Sequence, residues 1–365
     1  MKTSKILFLV FVIMMSLWVV TTQTVKPQSS GTVYIRSDGT VEGTDKIQRD
    51  GNVYTFIDNI VNQSVVVERD DIVVDGAGYT LQGTGALGFF SGVYLYGRSN
   101  VTIKNIEINA FPYGIGLSSS SNSSIHGNSI TNNTVYGIWL TGSSNNSIYE
   151  NSIPNNWNGI RLSYSSNNNS VYGNNITNNG VGIVLGERCT HNSVYGNNIT
   201  ANNGEGIRIS YFSNHNSIYE NNITNNHYGI YLFDSSDDHI FGNNITNNDF
   251  GVGLDCSNYN KFYHNRFINN TDQVYMTHSG WMNYWDDGYP TGGNYWSDYE
   301  ERYPNATEID GTGIWDTPYV IDENNQDNYP IVPEFPTWTP TLLMLIVFTV
   351  ALAIYKRRPP KTPIH

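Results

Sequence analysis

The sequence predicts an all-β protein: a right-handed parallel β-helix with a β cap at its N-terminal end and a membrane helix at its C-terminal end. Two apolar phrases alternate along residues 100–276 with a period of 22 to 24 residues, and each phrase alternates apolar with polar residues. Such alternation is typical of half-buried strands, and a unit this short buries its apolar face only by stacking on its neighbours as parallel strands. An asparagine that recurs at one position of the repeat fits the same stacking.

The two phrases mark successive turns of one coil. The first reads Asn-Ser-Ile-Tyr-x-Asn-x-Ile, and its leading apolar residues are Ile103, Ile125, Ile148, Val171, Val194, Ile218, Ile240 and Phe262. The second reads Gly-Ile-x-Leu and begins at Gly114, Gly137, Gly159, Gly182, Gly206, Gly229 and Gly251. Asn-Asn, Asn-Gly and Ser-Ser clusters between the phrases are turn signals. About seven coils of roughly 23 residues follow from this spacing.

Two kinds of side-chain ladder are expected from the stacking. The recurring asparagines are predicted to form an amide ladder with a spacing of about 4.8 Å; they are Asn128, Asn151, Asn174, Asn197, Asn221, Asn243 and Asn265. An outward aromatic row follows the inward apolar residue of the first phrase and is predicted to stack; it comprises Tyr149, Tyr172, Tyr195, Tyr219, Phe241 and Tyr263.

The two cysteines, Cys189 and Cys256, are 67 residues apart, which corresponds to three coils. Three coils place their Cα atoms roughly 14 Å apart if each adds about 4.8 Å. A disulfide joins Cα atoms that are within about 7 Å. The sequence therefore predicts two unpaired cysteines.

The remaining parts of the chain are predicted from composition. Residues 1–24 are expected to be a signal peptide or an uncleaved signal anchor, because Lys2 and Lys5 precede an apolar run. Residues 25–99 are expected to form the N-terminal cap and first coils, with strands at 32–35, 54–57, 64–67 and 72–74, ahead of the repeats at 100–276. Residues 277–332 are expected to form a C-terminal cap. Residues 333–365 contain the apolar stretch 338–355 and then a basic cluster, which predicts a membrane anchor with the main domain outside the cytoplasm.

Two segments resemble known families. Pro-Glu-Phe-Pro at 333–336, with the apolar run and basic tail after it, resembles the PEF-type sorting signals of archaeal surface proteins, which implies a tail that is removed and replaced by a lipid. The segment 283–299, Asn-Tyr-Trp-Asp-Asp-Gly-Tyr-Pro-Thr-Gly-Gly-Asn-Tyr-Trp-Ser-Asp-Tyr, is similar to the motif that closes β-helix proteins of the NosD type. Residues 316–319 and 322–330 resemble the next part of that family's pattern, so the resemblance covers roughly residues 64–330.

The NosD resemblance implies a pectin-lyase-like fold, grouped with carbohydrate-binding proteins and sugar hydrolases, and a connection to copper delivery for a respiratory reductase. A fold does not by itself assign an activity. Three functions therefore stay open: carbohydrate binding or display without catalysis, which we favour, copper binding and maturation, and polysaccharide hydrolysis or lysis.

Charge and location limit the partners. The chain has 19 Lys and Arg against 32 Asp and Glu, a net charge of −13, and no basic stripe, so nucleic acid is not an expected partner. For an exported and anchored solenoid, the expected partner is an extracellular glycan or another component of the cell envelope. In an exported protein the Asn-x-Ser/Thr sequences are also candidate glycosylation sites, among them Asn175, Asn198, Asn222 and Asn244.

The favoured ligand-binding row is the outward position of the Gly-Ile-x-Leu phrase, with Trp139, Arg161, Arg208 and Tyr231. Indole and phenol faces stack on sugar rings, and arginines pair with uronate carboxylates. The Tyr row on the other strand is expected to be a stabilising aromatic ladder instead.

Metal and catalytic alternatives rest on other residues. Soft ligands suited to copper are His264, Met276, His278 and Met282. Hard ligands suited to calcium are Asp310, Asp316, Asp322 and Asp327. Hydrolysis would need two carboxylates on one face, and the candidates are Asp234, Asp237, Asp238, Asp249 and Asp255.

Overall fold

The computed structural model describes residues 31–85, 90–277, 282–309 and 311–332. They form a right-handed parallel β-helix, as the sequence predicts, in which each coil contributes one strand to each of three long sheets. The predicted membrane helix lies outside the described residues. Within them, no helix combines the length and the apolar character that a membrane crossing requires.

The first sheet, sheet A, has 12 strands and contains the Gly-Ile-x-Leu phrases. In spatial order its strands are Val41–Glu42, Thr32–Ile35, Ser64–Val67, Ser91–Tyr96, Tyr113–Ser118, Tyr136–Thr141, Asn158–Ser163, Val181–Gly186, Glu205–Ser210, Tyr228–Phe233, Phe250–Asp255 and Asp272–Met276.

Sheets B and C have 11 strands each and share the Asn-Ser-Ile-Tyr-x-Asn-x-Ile phrase. Sheet B contains Ile47–Asp50, Val53–Phe56, Ile72–Asp75, Val101–Lys104, Ser124–His126, Ser147–Tyr149, Ser170–Tyr172, Ser193–Tyr195, Ser217–Tyr219, His239–Phe241 and Lys261–Tyr263. Sheet C contains Ile60–Val61, Thr80–Gln82, Glu107–Asn109, Ser129–Thr131, Ser152–Pro154, Asn175–Thr177, Asn198–Thr200, Asn222–Thr224, Asn244–Thr246, Arg266–Ile268 and Tyr295–Trp296.

The N-terminal cap differs in detail from the expectation. The strands Thr32–Ile35 and Ser64–Val67 pair in parallel and so already belong to the solenoid. The edges of sheets A and B are instead closed by Val41–Glu42 and Ile47–Asp50, which pair antiparallel with the first strands of their sheets. Antiparallel closure covers the edge that a stacked sheet would otherwise expose.

Inward-facing side chains form continuous apolar columns. In sheet C the column runs from Ile108 to Phe267, and every member between them in successive coils is fully buried. Outward on sheet B, the predicted aromatic row is confirmed, because the rings of Tyr149 and Tyr172 stack at 4.9 Å and the stack continues to Tyr263 at 4.9–5.1 Å.

The predicted asparagine ladder is also confirmed, and it lies at the corner between sheets B and C. In a typical coil the Nδ2 of Asn174 donates to Oδ1 of Asn197 at 3.0 Å and to the carbonyl of Ile148 in the preceding coil at 2.9 Å. The backbone N–H of Asn174 also donates to Oδ1 of Asn197. Each buried side chain therefore satisfies corner backbone groups that water does not reach.

Two further buried columns, which the sequence interpretation missed, occupy the other corners. The column between sheets C and A contains Asn133, Asn156, Asn179, Asn202, Asn226, Asn248 and Asn270. The column between sheets A and B contains Asn146, Asn169, Asn192, Asn216, Asp238, Asn260 and Asn283. Asparagine is thus the interior residue of all three corners.

The segment 283–299, which resembles the NosD motif, forms part of the C-terminal cap. It contains two Asn-Tyr-Trp triplets, and each adds one further rung: Trp285 stacks on Phe262, and Trp296 stacks on Phe267, both at 4.4 Å. Asn283 and Asn294 continue two of the asparagine columns. The helix Tyr299–Arg302 and the antiparallel pair Tyr319–Val320 and Gln326–Asp327 complete the cap.

Both cysteines are free, which confirms the prediction from coil spacing. Cys189 replaces a serine in a buried column at the A–B corner, where its N–H donates to Oγ of Ser213 in the next coil. Burial raises the pKa of the Cys189 thiol to about 11.

The amide columns predict a sharp contrast between neighbouring asparagines. Replacing Asn174 with Ala leaves several buried donors and acceptors without partners, each worth about 1–3 kcal/mol, so we expect the free energy of unfolding to fall by at least about 3 kcal/mol. The exposed neighbour Asn175 is the matched control, and Asn175→Ala should change it by no more than about 0.5 kcal/mol. Urea unfolding of both variants measures the difference, and similar losses would contradict a ladder role.

The buried carboxyl of Asp238 is expected to make the stability of the fold depend on pH. It takes an asparagine position: its Oδ1 accepts from Asn216, but its buried Oδ2 has no partner. Burial raises the pKa of this carboxyl well above its ordinary value. The native state therefore holds a proton that the unfolded state releases, and stability is lost as the pH rises above about 4 towards the raised pKa.

Asp238→Asn removes the carboxyl that must take up a proton in the folded state, so we expect about 1–3 kcal/mol of added stability at pH 7. The gain should nearly vanish at about pH 3.5, where Asp is protonated in both states. Urea unfolding at the two pH values tests this, and an equal gain at both would contradict the role of the proton.

Candidate functional site

The outer face of sheet A is the part of the solenoid that departs most from the repeat. Outward positions on sheet C are Asn and Thr in four successive coils, from Asn175–Thr177 to Asn244–Thr246. On sheet A, by contrast, the outward residue of the Gly-Ile-x-Leu phrase changes through Trp139, Arg161, Val184, Arg208 and Tyr231. The outer side of sheet A therefore carries different side chains in successive coils, unlike the outer side of sheet C.

Aromatic side chains form two ridges across this face. The first ridge consists of Tyr113, Tyr136 and Trp139, and the ring of Tyr113 lies 5.2 Å from Trp139 and 5.5 Å from Tyr136. The second ridge is a cluster with ring distances of 4.8–5.0 Å; its members are Tyr228, Tyr231, Phe250 and Tyr275. Four coils separate the ridges, which corresponds to about 19 Å.

A groove of about 730 Å³ lies between the ridges. Its floor is low because the coil in the middle presents small side chains, Val181 and Val184, and because Gly180 and Gly204 precede the strands. The exposed rings of Trp157 and Tyr211 line it, and they are 69% and 46% exposed. Trp157 precedes the strand Asn158–Ser163, and Tyr211 follows the strand Glu205–Ser210. Because these strands are parallel, the two residues lie at opposite edges of sheet A.

Both arginines that line the groove are paired with a glutamate. Arg161 Nη2 lies 2.5 Å from Oε1 of Glu187, and Arg208 Nη1 lies 3.5 Å from Oε1 of Glu205. All four side chains are partly buried. Arg161, Glu187 and Arg208 line the groove, so the lining itself contains two positive charges and one negative charge, and Glu205 offsets Arg208 from outside the lining.

Two acceptors that line the groove lack partners. Asn158, which is only 6% exposed, has a buried Oδ1 without a hydrogen bond. Oε2 of Glu187 is likewise buried and unpartnered, although Oε1 of the same carboxylate accepts from Arg161. Buried polar atoms are nearly always paired, so these two acceptors are exceptions within the groove.

The structure brings together half of the predicted ligand-binding row. Arg161 and Arg208 line the groove. Trp139 and Tyr231 are half-buried on the two ridges, where Trp139 Nε1 donates to Oγ of Ser163 and the guanidinium of Arg208 lies 5.8 Å from the ring of Tyr231. Burial raises the pKa of Tyr231 to about 12.

Sequence reasoning missed Trp157, Asn158, Glu187 and Tyr211. Trp157 and Tyr211 belong to the corners next to sheet A rather than to a strand phrase. The available signal was their departure from the repeat, because neighbouring coils have Gly180 and Gly204 where Trp157 stands.

The calcium candidates do not form a site in the described part of the chain. Asp327 is fully buried and accepts from the indole of Trp296 at 2.9 Å, and burial raises its pKa to about 7. Asp316 accepts from Thr307, and Asp322 accepts from Asn325. Asp310 lies outside the described residues. Among residues 31–85, 90–277, 282–309 and 311–332, no group of three or more His, Cys, Asp or Glu is placed to hold a metal ion.

The copper candidates lie on different parts of the coil. Met276 aligns with Leu254 in the inward column of sheet A and packs against the core. His264 follows sheet B, with its Nε2 2.9 Å from the carbonyl of Thr291, while Met282 is 45% exposed before the last rung. His278 lies outside the described residues. The three described side chains thus lie at different positions around the coil, and copper binding by them stays a prediction.

The carboxylates considered for hydrolysis are likewise dispersed. Asp238 is enclosed in the asparagine column at the A–B corner, and Asp249 lies 2.8 Å from Nδ1 of His227 at another corner. Neither contributes to the groove lining.

Several solved structures are similar to this chain. The A-module of the mannuronan C-5 epimerase AlgE6 of Azotobacter vinelandii is 18% identical, with 65% of this chain and 79% of that chain covered and a TM-score of 0.48. The periplasmic alginate epimerase AlgG is 16% identical over 68% of this chain and 72% of that chain, with a TM-score of 0.41. A tailspike protein of E. coli bacteriophage HK620 in complex with a pentasaccharide is 12% identical over 66% and 48%, with a TM-score of 0.45. No curated protein matches the chain.

A family model matches far more specifically. The model described as "Periplasmic copper-binding protein (NosD)" matches residues 28–205 and 196–301, and so runs from the first coils into the C-terminal cap. Those matches include the repeated coils and both Asn-Tyr-Trp triplets that close them, and on that basis the chain belongs to the NosD family.

Proposed function

We propose that this chain is an extracytoplasmic protein that binds or displays extended carbohydrate, without cleaving it, in the groove on the outer face of sheet A. The observation that carries the proposal is the groove itself, with Trp157 and Tyr211 exposed towards opposite ends and Arg161 and Arg208 fixed between them. The predicted residues Trp139 and Tyr231 flank the groove on the two ridges.

Exposed aromatic rings support a sugar ligand. Trp and Tyr present a large apolar face with a polar edge, which suits the stacking of a sugar ring. Large exposed apolar side chains on a folded surface often mark binding sites when they cluster.

The carboxylates support binding rather than hydrolysis. Glu205 begins its strand, whereas Glu187 follows the strand of the preceding coil, so a whole strand of six residues separates them. Six residues at about 3.3 Å each place their Cα atoms roughly 20 Å apart along the strand direction. Glycosidases hold their two carboxyl groups about 5–9.5 Å apart.

The location rests on the two ends of the chain and on the family. A periplasmic family description and the signal-like residues 1–24 support export, and residues 338–355 with the basic tail support an anchor in the membrane. The groove then faces the cell envelope or the medium, where extended glycans occur.

The proposal predicts that the exposed groove aromatics carry affinity but not stability. In a glycan array followed by calorimetry on the full-length protein, Trp157→Ala combined with Tyr211→Ala should weaken binding at least tenfold, about 1.4 kcal/mol. The melting temperature should change little, because both rings are exposed.

Tyr259→Ala is the matched control, since Tyr259 is 49% exposed at a corner away from the groove. It should bind as the unmodified protein does. Unchanged affinity in the double variant, or no glycan bound by the unmodified protein, would refute this function.

A further inference from the structure

We infer that the groove selects a neutral glycan, whose hydroxyl groups donate hydrogen bonds to Asn158 and Glu187, and that it discriminates against acidic sugars. This inference rests on the proposed function, and it names the class of sugar. It also replaces the expectation that Arg161 and Arg208 pair with uronate carboxylates.

The first step is the kind of atom left without a partner. Oδ1 of Asn158 and Oε2 of Glu187 are both acceptors, so the missing partner of each is a hydrogen-bond donor. A buried acceptor without a donor is unfavourable, because its desolvation is not compensated by a hydrogen bond. A ligand that supplies two donors recovers that free energy, after small rotations about the broad terminal torsions of these side chains.

The second step is the charge of the donor. Glu187 Oε1 is bound to the guanidinium of Arg161 at 2.5 Å, so a metal cation or an ammonium group beside Oε2 would be repelled by Arg161. A neutral hydroxyl is not repelled. A hydroxyl also accepts as well as donates, so the same sugar can bind N–H groups of Arg161 and Arg208.

The third step concerns acidic sugars. A uronate carboxylate that reached Arg161 or Arg208 would compete with Glu187 or Glu205 and would come to lie beside it. Like charges at short range in a partly buried groove are unfavourable. The whole chain adds to this, because its net charge is −13.

The test asks whether Asn158 acts as a hydrogen-bond acceptor for the ligand or only packs within the fold. Asn158→Val should weaken binding of a neutral polysaccharide at least tenfold and leave the melting temperature unchanged or raised, because an unsatisfied acceptor is removed. Valine fits the strand, since Val181 occupies the same position in the next coil. Asn158→Asp keeps acceptor oxygens and should stay within about threefold of the unmodified protein. Asn175→Val, on the exposed face of sheet C, is the matched control and should change nothing.

The ligands compared are a neutral hexose polymer and a uronate polymer of similar length, each at low and high salt. Preference for the neutral polymer at both salt concentrations, with loss only in Asn158→Val, supports the inference. Preference for the uronate polymer, or equal binding by Asn158→Val, overturns it while the proposed function stands. A lowered melting temperature in Asn158→Val together with weakened binding by Asn158→Asp also overturns it, because Asn158 would then be structural. Binding of neither polymer overturns the proposed function itself.

Discussion

Hydrogen bonding at the corners is the constraint on which the whole solenoid depends. Coils of 22 to 24 residues turn sharply three times, and each turn leaves backbone groups in the interior where water does not reach them. A buried asparagine at each corner provides both an acceptor and two donors, and it binds the backbone of its own coil and of its neighbours. Because these bonds connect every coil to the next, the apolar columns of the three sheets stay in register.

This arrangement separates stability from recognition. Sheets B and C repeat nearly the same outward residues, and the stacked rings from Tyr149 to Tyr263 on sheet B consolidate the solenoid. Sheet A also contributes to the core, through its inward side chains. Its outward side chains are not needed for that packing and can vary. Arg161, Val184 and Arg208 can therefore differ in size and charge while Ile160, Ile183 and Ile207 beneath them stay fully buried.

The sequence was sufficient for the fold because the fold is periodic. The coil length, the column from Asn128 to Asn265 and the unpaired cysteines follow from spacing alone. The other two asparagine columns were hidden in Asn-Asn pairs, which also occur as ordinary turn signals. The groove was harder to predict, because its ends depend on where the corner residues Trp157 and Tyr211 point, and no strand alternation fixes that direction. Arg161 and Arg208 were found because they occupy a strand position whose outward direction is fixed.

The amide columns also have a direction. One N–H of each asparagine Nδ2 donates to the acceptor of the next coil, so the last asparagine of a column needs an acceptor beyond it. Asp327 in the cap accepts from Asn294, and Gln273 in the last strand of sheet A accepts from Asn270. The junctions between inner coils, in contrast, repeat the same donor and the same acceptor, except where Asp238 replaces an asparagine at the A–B corner. Whole coils can accordingly be duplicated or deleted within the solenoid without a change in either cap. Lengthening by internal duplication gives such a chain new outward surfaces while the chemistry of its ends stays constant.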